Sequence, residues 1–157
     1  MATLERVAAM ITDLGQSLGI PELELDEENQ CLLSFDQDVL ISLRVDHERW
    51  VFLGFLNEWE PHQNVETALE ETVALLTLNL TLGSTGRGTI CLDTTSDSVL
   101  LVVPIVPPPE SVADLSRTLE GVMESIEWIR ERRSQSIVDS NASSESSPFP
   151  VHDGLIP

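Results

Sequence analysis

Apolar residues recur along this chain with two different periods. Spacings of three and four residues, which place side chains on one face of a helix, occur in three stretches. In the first of them, Leu4, Val7, Ile11 and Leu14 share one helical face. The pattern predicts helices at about residues 2–16, 64–81 and 111–133.

Strict alternation or short apolar runs bounded by polar and glycine-containing turns predict five strands. They lie at residues 31–35, 39–45, 49–57, 89–92 and 98–106. The resulting order, α-β-β-β-α-β-β-α, predicts an α+β fold in which helices pack on an antiparallel sheet. We place this domain at residues 1–133. Residues 134–157 are rich in Ser and Pro, show no periodicity, and are predicted to form a flexible tail.

The third predicted strand is apolar on both faces. Val51, Leu53 and Phe55 alternate with Trp50 and Phe52. A strand of an antiparallel sheet usually has one face toward water, so apolar residues on both faces indicate that something covers each side.

The second predicted helix also has a wider apolar surface than a helix needs to pack against one side of a sheet. One stripe runs along it, and further apolar residues, Ala74, Leu75 and Leu78, lie beside the stripe. A deep central helix would explain this, but a chain of this size favours a helix at a subunit interface. We therefore predict a homodimer. The stripe consists of Val65, Leu69, Val73, Leu76 and Leu80.

The formal net charge of −19, from 27 acidic and 8 basic residues, limits the classes of molecule that the protein is expected to bind. Such a field repels nucleic acids and anionic membranes, so we expect neither as a partner. The charge indicates either solubility or attraction of a basic partner, including mimicry of nucleic acid. The start of the chain lacks a secretory signal pattern, and no apolar run is long enough for a bilayer, which predicts a cytosolic protein.

Candidate catalytic chemistry is weak throughout. The run from Gly83 to Thr89 has the glycine spacing of a phosphate loop, but it lacks the lysine and follows a helix instead of preceding one. It is predicted to be a turn with Gly83 as the helix C-cap. Cys31 and Cys91 have no metal-type spacing, and His47, His62 and His152 lie in loop-like contexts. We expect no enzyme activity, no metal and no cofactor.

Two stretches resemble one known family. Residues 14–36, LGQSLGIPELELDEENQCLLSFD, have the repeated Leu-Gly, the proline, the alternating leucines and the acidic pair that open class I type III secretion chaperones, the Tir chaperone-like family. Residues 75–105 resemble the second helix, glycine turn and closing hairpin of that family, with Leu78-Asn79-Leu80, Gly86 and Leu92-Asp93 at its habitual positions. The resemblance covers about residues 1–133.

The resemblance implies a homodimeric chaperone of the bacterial cytoplasm. Such a protein binds the N-terminal segment of a secreted effector in extended form and keeps it competent for export. The family usually dimerises through its second helix and the adjoining strand, which here implies Leu69, Val73, Leu76, Leu80, Ile90 and Leu92. Effector contacts usually involve apolar patches on the strands and the first helix, which here implies Leu32, Leu40, Val51, Leu53 and Phe55 on the strands.

Two features depart from the family pattern. After Leu56 the chain reads Asn57-Glu58-Trp59-Glu60-Pro61 where the family often has Leu-Gly and a proline, and we include Trp59 in the expected effector surface. The Ser-rich tail is also longer than usual.

Two other functions compete with the chaperone. An acidic decoy that occupies a basic nucleic-acid-binding protein predicts carboxylates arrayed on one face. A nucleotide binder or small enzyme using Gly83 to Thr89 predicts stabilisation by its ligand.

Overall fold

The computed structural model of the chain describes residues 4–20, 22–36, 38–46, 49–59 and 64–143. Within them, three helices and five strands follow one another in the predicted order, which confirms the α+β assignment. The elements are α1 (Leu4–Leu18), β1 (Gln30–Phe35), β2 (Val39–Asp46), β3 (Arg49–Glu58), α2 (Val65–Thr85), β4 (Thr89–Asp93), β5 (Ser98–Ile105) and α3 (Val112–Ser143).

The strands form one antiparallel sheet in the order β1-β2-β3-β5-β4. The hairpins β1–β2 and β4–β5 turn at Asp36 and Asp97, which both adopt positive φ angles of 46°. Asp tolerates this left-handed conformation better than most residues. The chain between β3 and β5 leaves the sheet to form α2 and returns as β4 at the edge.

The core lies between one face of the sheet and the helices α1 and α3. Helix α1 packs on α3, and α3 packs on β3 and β5. Alternate strand positions supply the buried side chains of the sheet, as a period of two requires. Among them are Cys31, Leu33, Ile41, Leu43, Trp50, Phe52, Val99 and Leu101.

Helix α2 lies beside the edge strand β4 and contacts α3. The Asn64 side chain accepts a hydrogen bond from the Glu66 N–H at the start of the helix. Gly86, with φ of 68°, ends it as a left-handed C-cap. The prediction that Gly83 caps the helix is therefore wrong: the helix continues to Thr85, and the left-handed residue is the next glycine along.

Helix α3 also extends beyond its predicted end at residue 133. It continues through Ser143, because residues 134–143 contain neither glycine nor proline to stop it. The first ten residues of the predicted tail are thus helical. Residues 144–157 lie outside the described residues, so flexibility there stays a prediction. Among the helices that the structure describes, none is long and apolar enough to cross a membrane.

Candidate functional site

The face of the sheet that points away from α1 and α3 is apolar although its side chains are exposed or half-buried. We call this surface the outer face. Its apolar residues come from β1, β2, β3 and β5 and alternate along each strand with core residues. They are Leu32, Leu40, Val51, Leu53, Phe55, Leu100, Val102 and Pro104.

The strand register places these residues in neighbouring rows across the sheet. One row crosses all five strands and contains Leu32, Ser42, Leu53, Val102 and Thr89. The next positions along the strands carry no charged side chain either. Ser34 pairs with Leu40, and Leu100 pairs with both Phe55 and Cys91.

Charged residues of the outer face lie at the ends of the strands instead. Arg44 lies opposite Val51, and Asp46 lies opposite Arg49. In a chain with 22% charged residues, two adjacent rows without charge form a distinct surface. Exposed apolar surface of this kind on a polar protein is typical of sites that contact a protein, a membrane or a ligand.

The five strand residues predicted to contact an effector all lie on the outer face. Leu32 is 65% exposed and Leu40 is 37% exposed, whereas Val51, Leu53 and Phe55 are half-buried by their neighbours. This surface continues onto Leu100, Val102 and Pro104 of β5, which were not among the residues predicted from the sequence. The signal was present, because residues 98–106 are apolar at both even and odd positions, as in the third strand.

Trp59, the sixth predicted residue, does not join the outer face. It follows the last residue of β3, so the alternation no longer determines its direction. Its side chain is half-buried and packs against the core, and its backbone N–H donates to the Asp97 carbonyl at 2.6 Å.

A second apolar surface lies on α2. We call its five exposed residues, Val65, Leu69, Val73, Leu76 and Leu80, the α2 stripe; the last two are 62% and 78% exposed. The opposite face of the helix buries Leu75 and Leu82 in the core. Helix α2 thus has two apolar faces, and its own chain covers one of them.

Strand β4 contributes only part of what the resemblance implied. Leu92 is 45% exposed, but Ile90 is 7% exposed and belongs to the core of its own chain. Ile90 pairs with the buried Leu101 in the interior of the sheet, whereas Leu92 lies one pleat closer to the strand end. Ile90 therefore offers no surface to a second copy.

The Asn79 side chain joins α2 to the open edge of β4. Its Nδ2 donates to the Ile90 carbonyl at 3.0 Å, and its Oδ1 accepts from the Ile90 N–H at 2.6 Å. The amide satisfies both backbone groups of Ile90 as a neighbouring strand would. This contact fixes α2 beside β4 and blocks strand addition at that point of the edge. In the sequence, this contact is indicated only by a polar residue, Asn79, between the apolar Leu78 and Leu80.

Catalytic chemistry is not assembled on either surface. The part of the chain that the structure describes contains no cluster of three or more His, Cys, Asp or Glu side chains suited to a metal ion. The three histidines lie outside the described residues. Gly83, Ser84 and Thr85 belong to the last turn of α2, where the helix dipole is negative and disfavours phosphate.

The two cysteines differ in environment. Burial in the core raises the pKa of the Cys31 thiol from 9.0 to about 11. Cys91 is exposed on the outer face.

This architecture is that of a small α+β protein that leaves two apolar surfaces exposed. The model of the Tir chaperone protein (CesT) family matches residues 9–130, which is more than half of the chain. The chain therefore belongs to this family, and the resemblance to class I type III secretion chaperones is confirmed. No curated protein sequence matches the chain.

Solved structures show the same fold. A chain of the ExsC–ExsE complex matches with a TM-score of 0.66 and 20% identity over 83% of this chain and 96% of that one. A chain of the HopA1–SchA chaperone–effector complex matches with a TM-score of 0.61 and 24% identity over 80% and 91%. The structure of the Yersinia pestis type III secretion chaperone SycH with a YscM2 fragment matches with a TM-score of 0.54 and 16% identity over 78% and 98%.

Proposed function

We propose that this protein is a homodimeric chaperone of a type III secretion system in the bacterial cytoplasm. It binds the N-terminal segment of a secreted effector in extended form and keeps that segment competent for export. The observation that carries the proposal is the pair of adjacent charge-free rows on the outer face of a chain of this family. Two of the similar structures are described as a chaperone with an effector and a secretion chaperone with a bound fragment.

The outer face supplies the chemistry that holding an unfolded segment requires. Leu53, Phe55, Leu100 and Val102 form adjoining pairs across β3 and β5, and apolar side chains of a bound segment gain free energy by leaving water against them. The strand β1 stands at the end of the sheet order and carries the exposed Leu32. An extended segment that pairs with β1 places alternate side chains on the same surface.

The α2 stripe supplies the contact between two copies. Five exposed apolar residues on one helix are costly to leave in water, and a twofold axis beside the helix brings the stripe of one copy onto that of the other. Leu92 lies on the neighbouring strand and extends this contact. A dimer presents two outer faces, so one long segment is held at two sites.

The proposal requires neither a cofactor nor a catalytic group. The acidic decoy is not favoured, because the outer face has rows without carboxylates where a decoy needs an array of them.

The function is tested by affinity capture of the tagged protein from its native cytosol, in parallel with the variants Phe55→Asp and Gln16→Asp. Both variants add one negative charge, but Gln16 is an exposed residue of α1 away from the outer face. We expect the wild type and Gln16→Asp to retain a secreted protein, with two copies of the chaperone per effector. Limited proteolysis should show protection of the effector's N-terminal region.

Phe55→Asp should reduce retention at least tenfold, as for a residue at the centre of an interface. Retention of the effector by Phe55→Asp at the wild-type level would remove the outer face from the proposal. A basic nucleic-acid-binding partner that is lost in moderate salt would favour the decoy instead.

A further inference from the structure

The two halves of α2 are held to the rest of the chain in different ways. The C-terminal half is anchored by the buried side chains Leu75 and Leu82 and by the bonds between Asn79 and Ile90. The N-terminal half, residues 65–74, buries no side chain completely. It nevertheless carries three residues of the α2 stripe, Val65, Leu69 and Val73. Apolar packing alone therefore leaves this part of the stripe weakly positioned.

One polar contact connects the N-terminal half of α2 with other elements. The Arg133 guanidinium, on α3, donates from Nη2 to Glu71 Oε1 on α2 and from Nη1 to Asn57 Oδ1 on β3. Within the described residues, no other side-chain hydrogen bond or ion pair joins residues 65–74 to another helix or strand.

The environment of this contact makes it stronger than a surface ion pair. The side chains of Arg133 and Glu71 are 24% and 20% exposed. Because solvent screens the pair only partly and the guanidinium serves two acceptors, its bonds are worth more than those of an exposed pair. The fork of the guanidinium also fixes direction, since both acceptors must lie in its plane.

We propose that Arg133 is a positioning residue for self-association. It holds the N-terminal half of α2 against α3 and the end of β3, so that all five residues of the α2 stripe face a second copy together. A helix held in its bound position loses less conformational freedom on association, which strengthens binding. The inference rests on the proposed dimer and adds the residue that sets its affinity.

The test compares Arg133→Leu with Arg130→Leu. Arg130 lies one turn earlier on α3, and its guanidinium donates to the Asp38 carbonyl at 2.7 Å without contacting α2. Both variants remove one positive charge from the same helix. Sedimentation equilibrium should show a dimer dissociation constant about tenfold higher for Arg133→Leu, the loss expected for a charge-assisted hydrogen bond. Arg130→Leu should stay within about twofold of the wild type.

A charge reversal separates positioning from general loss of stability. Glu71→Arg and Arg133→Glu should each weaken self-association, and the double variant should restore most of it. The Asn57 amide can turn its Nδ2 toward the new carboxylate, but it then gives up its hydrogen bond to the Glu58 carbonyl, so we expect the reversed pair to restore most of the contact and not all of it. If each residue acted independently of the other, the second substitution would add to the first loss instead of reversing it.

The outcomes distinguish this inference from the proposed function. A wild-type protein that is monomeric at every concentration refutes the dimer itself. A dimeric wild type with an unchanged dissociation constant in Arg133→Leu refutes only the role of Arg133. Should Arg133→Leu fail to fold, the double variant decides: a folded double variant with most of the wild-type affinity supports the inference, and a double variant that is unfolded or weakly associating overturns it.

Discussion

At the scale of single residues, Gly54 on β3 is a point of close approach between the sheet and α3. A Cβ atom there would lie 2.7 Å from Cδ1 and 3.2 Å from Cγ1 of Ile126, which is fully buried on α3. The absence of a side chain at Gly54 is therefore what lets α3 approach the sheet.

Gly54→Ala should lower the free energy of unfolding by about 1–3 kcal/mol, since overpacking forces α3 or the strand to shift. Gly121→Ala is the matched control, because an added Cβ at this exposed position of α3 meets nothing within 4 Å. It should raise the free energy of unfolding by about 0.5–1 kcal/mol through helix propensity. Urea denaturation measures both, and a neutral Gly54→Ala would show that Ile126 has room to move.

The second prediction at this scale concerns Cys31, whose pKa burial raises from 9.0 to about 11. Between these two pH values the thiol of the unfolded chain loses its proton while that of the folded chain keeps it. The folded state then binds more protons, so the free energy of unfolding falls as pH rises. The expected loss approaches about 2–3 kcal/mol by pH 11.

Urea denaturation from pH 8 to 11 tests this in the wild type and in Cys31→Val. The sequence contains no tyrosine and no lysine, so few other side chains titrate in the same range. Cys31→Val should lose most of the pH dependence. An equally steep decline in the variant would assign the effect to another group.

At the scale of elements, α2 shows how one helix serves two surfaces. Leu75 and Leu76 are adjacent in sequence, but Leu75 points into the core and Leu76 is 62% exposed on the α2 stripe. The apolar residues that make the second helix look broadly apolar in the sequence therefore belong to two separate faces of α2.

Leu76→Glu should give a folded monomer, because the charge is solvated in one chain and would be buried without a partner in the proposed dimer. Leu75→Glu should instead unfold the chain, since the same charge enters the core. Circular dichroism and sedimentation velocity separate the two results. A Leu76→Glu variant that stays dimeric would place the dimer contact away from α2.

At the scale of the whole molecule, charge dominates the response to solvent. With 27 acidic and 8 basic residues, most carboxylates have no positive partner to pair with, and the compact state suffers their mutual repulsion. Salt screens this repulsion over a distance that falls from about 30 Å at 0.01 M to about 10 Å at 0.1 M.

We therefore expect the midpoint of thermal unfolding to rise between 0.01 M and 0.2 M NaCl at pH 7. Self-association should tighten over the same range, because two chains of equal charge repel each other. Differential scanning calorimetry at fixed protein concentration measures the first effect. A midpoint that falls with salt would mean that attractive ion pairs outweigh the net repulsion.

The sequence by itself determined the order and type of the elements, since helix and strand periods are local properties of the chain. It also showed that the third strand and the second helix are too apolar for a single contact. The resemblance to the family singled out the five strand residues Leu32, Leu40, Val51, Leu53 and Phe55, and alternation within each regular strand explains why they lie away from the core.

Only the tertiary structure decided which segments share a surface. Because β3 pairs with β5, the outer face extends to Leu100, Val102 and Pro104. The pairing of β4 with β5 places Ile90 in the core and leaves Leu92 exposed near the end of the strand. Asn79 meets its partner 11 residues away, and Arg133 reaches Glu71 from 62 residues away. Such contacts depend on how elements pack against one another, and no local period carries that information.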